Sequence, residues 1–216
     1  FIGLFLWQNT QMEEERDSVQ LTLRSSNDIQ SKFNEVRKLE QEYLRDPSTE
    51  SKERVLTSLS DLQKETSKVA KETNSSSLKG IEKDLSAYQT SFNSATSLTT
   101  QLNALKQMMT ETSNNFYASV KAMNDQALLI TLLQMQTYEK EVHIKYDSTT
   151  VENFKESAQT FDRMLDEKNL PADQLSTFKS NLLKYTTSAD TIQTITKKIG
   201  DDISTFEKIA NVVDQS

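Results

Sequence analysis

Arg37 and Glu40, in the stretch RKLEQEYLRDP (37–47), put a cation and a carboxylate within reach of each other. They stand three positions apart, so a helix places them on one face, where guanidinium and carboxylate can meet. The planar fork of an arginine suits a carboxylate, whether it belongs to the chain or to a small organic acid. Ser26 and Gln30 fall on the same stripe one to three turns away. Together the four could line a small polar pocket between helices. Two readings of Arg37 stand side by side: a pocket-lining cation, or a partly exposed partner of Glu40. A second carboxylate, Glu139 in QTYEKEVHIKYD (136–147), occupies a matching place. For both glutamates the alternative to a ligand site is a polar pair that fixes helix register.

Other chemistries find little support. His143 is the sole histidine and follows Glu139 by four residues. A di-metal carboxylate bundle needs Glu-x-x-His twice, so His143 is read as a surface residue and no metal is expected. The chain has no cysteine, and its three glycines, Gly3, Gly80 and Gly200, are isolated. That leaves no thiolate site, no nucleophile elbow, no phosphate loop and no dinucleotide fingerprint. Met108 and Met109 read as packing residues. Neither enzymatic activity nor a cofactor is expected. The net charge of −7 and pI of about 4.9 oppose binding to nucleic acid or through a polybasic membrane patch.

Composition points to helices as the framework that carries these side chains. Gly and Pro are scarce, at three and two in 216 residues, and Lys, Glu, Gln and Leu are abundant, which favours helix over strand. An apolar share of 35% suits thin bundles in which each helix buries one stripe. Spacing of 3–4 predicts six helices. The first runs from about residue 8 to Arg45 on a stripe of Val19, Leu23, Ser26, Gln30, Phe33, Arg37, Glu40 and Leu44. Breaks follow at DPS (46–48), NSSS (74–77), TSNN (112–115), DSTT (147–150) and NLPAD (169–173).

The two halves repeat. Glu40 aligns with Glu139 at an offset of 99, and LSAYQTS (85–91) with LLKYTTS (182–188) at 97, pairing Tyr88 with Tyr185. Each unit reads as helix, turn, helix, turn, long helix. At about 1.5 Å per residue the third and sixth helices reach roughly 50–60 Å, and the second and fifth roughly 30–40 Å. The expected architecture is all-α: two stacked four-helix bundles from six helices, the two long helices shared by both. Both chain ends would then leave from one pole. The opening FIGLFLW (1–7) is too short to span a bilayer, which takes roughly 20 residues. It is read as the outer end of a membrane helix with Trp7 at the interface; the alternative is a hydrophobic end or an oligomer contact.

RKLEQEYLRD and QTYEKEVHIKYD resemble the repeated R-x-x-E-K-D-F-L-x-R-x-D signature of helical bimodular sensor domains. Those are extracytoplasmic regions of bacterial methyl-accepting chemotaxis receptors and some sensor histidine kinases. The second copy departs from the signature, with Gln136 for the arginine, Val142 for the aromatic and His143 for a leucine. The resemblance implies a membrane-proximal bundle, 1–95 with 190–216, and a distal one, 96–189. It implies a periplasmic sensor domain of an inner-membrane receptor, anchored at both ends and homodimeric through the first helix. The ligand would be a small organic acid bound between helices. Arg37 is the best carboxylate anchor, with Ser26, Gln30, Glu40 and the weaker cation Lys197, beside Lys198, as further site residues. The rival reading is a structural or partner-binding secreted bundle, such as a pore-forming helical protein, with FIGLFLW as the docking segment.

Overall fold

The computed structural model describes residues 2–214; residues 1, 215 and 216, and the side chains of 2–15, 17–19, 21, 22, 213 and 214, lie outside the described residues. The expectations for FIGLFLW and for the stripe position Val19 therefore fall outside them. The described chain is six helices with no strand: α1 (Ile2–Arg45), α2 (Thr49–Thr73), α3 (Ser76–Ala122), α4 (Gln126–Lys145), α5 (Ser148–Asp166) and α6 (Ala172–Asp214).

The turns follow from their side chains. Ser48 caps α2 in a reciprocal box with Ser51, each hydroxyl accepting from the other residue's backbone N–H at 3.0 Å. Asp147 caps α5, accepting from the Thr150 N–H at 2.7 Å. Ser48 and Asp147 are related by the same offset of 99 that relates Glu40 to Glu139, so the repeat reaches down to its helix caps. Asn74 and Tyr146 end α2 and α4 in the left-handed conformation.

One break differs from expectation. TSNN lies inside α3, which continues to Ala122. Met109, Ser113, Phe116 and Val120 keep one buried stripe through it, and polar residues on the opposite face do not stop a helix with such a stripe. The chain turns instead at Asn124, whose φ is 55°, and Asp125 caps α4 by accepting from the Leu128 N–H at 3.0 Å.

The contacts divide the chain into two compact units, Phe1–Asn93 with Asp202–Ser216, and Ser94–Asp201. The second unit takes in Ile192 and Ile195, which belong to its core, and Ile199, which packs against it. In the first unit α1 and α2 form a hairpin whose inward stripes meet residues of α3 and the end of α6. The second unit is built alike from the α4–α5 hairpin, the later part of α3 and the earlier part of α6. Their stripes match position by position. Ile29, Phe33, Val36, Glu40 and Tyr43 correspond to Leu128, Leu132, Met135, Glu139 and Val142, and all ten are buried.

That stripe corrects the expected phase of α1. Phe33 and Glu40 are on it, but Leu23 and Leu44 are 61% and 41% exposed, Gln30 is exposed, and Ser26 and Arg37 are half-buried at its edge. A 3–4 ladder can be laid on this helix one residue either way. The phase through Ile29, Val36 and Tyr43 removes more apolar surface from water, and the structure adopts it.

Candidate functional site: the paired Glu–Tyr locks

Each unit closes its core around one buried glutamate and one buried tyrosine. In the first, Glu40 projects from α1 inward, and the Tyr88 hydroxyl of α3 donates to its Oε2. The Tyr88 ring is fully enclosed, edge-on to Phe33 at 5.6 Å and beside Phe206 at 5.6 Å. In the second, the Tyr185 hydroxyl of α6 donates to Glu139 Oε2 at 2.5 Å. Its ring lies edge-on to Phe154 at 4.9 Å and to Phe116 at 5.9 Å. A buried carboxylate is costly unless it is hydrogen-bonded, and a phenol is a short, strong donor to it. The two buried glutamates, each with its tyrosine, are therefore matched locks between the first and third helices of each repeat.

The two locks have different surroundings. Burial pushes the Glu40 carboxyl above the ordinary glutamate range, opposed by the Tyr88 hydrogen bond and then by the Arg37 charge; Glu207 adds to the rise. Burial, reinforced by Glu40, pushes the Tyr88 phenol up so that it stays protonated and donating. The same holds for Tyr185, with Glu139 in that role. In the second unit Gln136 replaces Arg37, and its Nε2 donates to the Ser113 carbonyl at 3.3 Å. The Ser113 side chain slightly opposes the rise of the Tyr185 phenol, and Thr110 Oγ1 makes a longer contact, 3.5 Å, with Glu139 Oε1.

His143 is not a surface residue. Its side chain is 19% exposed, and Nε2, buried with no hydrogen-bond partner, lies 4.0 Å from Glu139 Oε1. Burial, reinforced by the Lys106 charge, holds the imidazole below its ordinary pKa, and Glu139 opposes this. Among the described residues no group of three His, Cys, Asp or Glu side chains could hold a metal ion.

Of the sequence-selected residues, Glu40 and Arg37 are brought together. Ser26 is half-buried, and Gln30, Lys197 and Lys198 are exposed. None of the five expected ligand residues lines any of three clefts among the described residues. A groove of about 680 Å³ between α1 and α2 is edged by Glu35, Glu50, Glu53 and Asp61 against Lys32 and Arg54. Those two cations are paired, with Glu65 and Glu42 respectively.

A cleft of about 420 Å³ lies in the second unit between α3 and the start of α6. Its floor is Phe116 and Phe178, whose rings stack at 5.8 Å. Phe116 also meets the Tyr185 ring at 5.9 Å, so the cleft is one ring away from the Tyr185–Glu139 bond. SNNFYAS (113–119) and TFKSN (177–181) carry this cleft. The signal that could have found it is the carboxamides flanking two stripe phenylalanines, Phe116 and Phe178.

Among the described residues no helix is long and apolar enough to cross a membrane. No protein family, curated protein or solved structure matches this chain.

Proposed function

We propose that this chain is the extracytoplasmic ligand-binding sensor domain of a transmembrane receptor, of the helical bimodular type it resembles, and is not an enzyme. One observation carries the reading: the second-unit cleft is joined through Phe116 to the Tyr185–Glu139 bond. A small molecule seated on Phe116 and Phe178 would bear on the ring that holds the lock. A ligand that favours one packing of α6 over another then changes the populations of the two. In this proposal the two units stack end to end with both chain ends at one pole, so that α6 carries the shift towards a membrane segment. The receptor works as a homodimer through α1, where Leu23 and Leu44 leave apolar surface exposed.

The resemblance adds an organic-acid seat near Arg37 in the first unit. The guanidinium there already acts on Glu40 and Tyr88, so a bound acid would compete for it.

A thermal-shift screen of small polar metabolites, acidic and neutral, tests the reading, because a ligand that binds only the folded state raises its apparent stability. At least one compound should raise the Tm in a saturable way. A flat response across both classes at millimolar concentration would remove the sensor reading. Arg37→Ala tests the acid seat: it should abolish any shift produced by succinate or malate, and an unchanged shift would take Arg37 out of the site.

A further inference from the structure

We infer that the second-unit cleft takes a neutral, hydroxyl-rich ligand of about monosaccharide size. The inference rests on the sensor reading and names the ligand class for one of its seats. The cleft's volume of about 420 Å³ falls at the small end of ligand pockets, which run roughly 300–1,000 Å³. Its polar lining is chiefly carboxamide and hydroxyl: Asn115, Gln174 and Asn181, with Ser119 and Thr177. A carboxamide offers an acceptor and two donors, which matches a sugar hydroxyl that both gives and takes a hydrogen bond.

The charge of the cleft excludes the acid class. No Lys or Arg lines it, and its one ionised group is Asp173. A carboxylate ligand would meet a like charge and lose water without a counter-ion. Asp173 suits a hydroxyl instead, as a charge-assisted acceptor. Phe116 and Phe178, nearly buried and stacked on one another, close the inner end of the cleft and pass its contact to Tyr185. The groups that select the ligand and the ring that reports it to Tyr185 thus sit in one cleft.

The test is calorimetry and thermal shift on the intact chain with N-acetylglucosamine, glucose and succinate, repeated on Asn181→Ala, Gln174→Ala and Arg37→Ala. A sugar should bind. Asn181→Ala and Gln174→Ala should each weaken it about tenfold without moving the ligand-free Tm, and Arg37→Ala should leave it unchanged. Succinate binding with both sugars silent would overturn the neutral-ligand inference and leave the sensor reading standing. Silence of all three, together with a flat wider screen, would overturn both. Sugar binding indifferent to Asn181→Ala and Gln174→Ala would overturn the placement in this cleft.

Discussion

Glu40 is 6% exposed and Glu139 5%, and the tyrosine donor makes each tolerable. Removing the donor leaves a buried acceptor unsatisfied, so Tyr88→Phe and Tyr185→Phe should each cost about 1–3 kcal/mol in denaturant unfolding. The pH dependence should separate the locks. The folded-state pKa of Glu40 is raised, so between the ordinary glutamate value and the raised one the folded state holds more protons than the unfolded state. That contribution is fully present at low pH and is lost as pH rises through the raised value. The folded-state pKa of His143 is lowered, so its contribution is present above the ordinary histidine value and is lost as pH falls. Against wild type, Glu40→Gln should therefore gain relative stability as pH rises, and His143→Leu should gain as it falls; urea titrations at several pH values read both slopes. The repeat made Glu40, Glu139, Tyr88 and Tyr185 stand out as matched positions in the sequence. It did not reveal their bonding, because an alignment offset gives equivalence between units and not contact within one.

At the scale of elements, the caps were legible and one turn was not. DPS and DSTT announce Ser48 and Asp147 through residue types that cap helices. TSNN carries the same residue types and lies within α3, because Ser113 and Phe116 hold their places on a buried stripe. The working turn uses Asn124 and Asp125, where a left-handed residue precedes a cap. Asp125 also pairs with Lys168 at 2.5 Å. Asp125→Ala should therefore cost about 1 kcal/mol, the usual cap penalty, whereas Thr112→Ala should stay within about 0.5 kcal/mol. Chemical denaturation of the two variants decides where the chain turns. The phase of α1 was hard to read for a related reason. Gln30 and Arg37 flank Ile29 and Val36 at the same spacing, and only the tally of apolar surface separates the two ladders.

At the scale of the molecule, the duplication was the most legible feature, since caps, buried stripes and locks recur at offsets of 99 and 97. What the sequence hid was the cleft, whose residues come from distant parts of the chain, 115–119 and 171–181. End-to-end stacking, as proposed, predicts an elongated particle by small-angle scattering; a globular profile would oppose it. Hydrogen exchange on the intact chain, with and without a compound that raises its Tm, tests the functional claim most directly. Protection should concentrate at 113–120 and 173–185, with a further change in α6 beyond Ile203. Protection absent from the cleft, or confined to it with no change along α6, would contradict a sensor that signals through that helix.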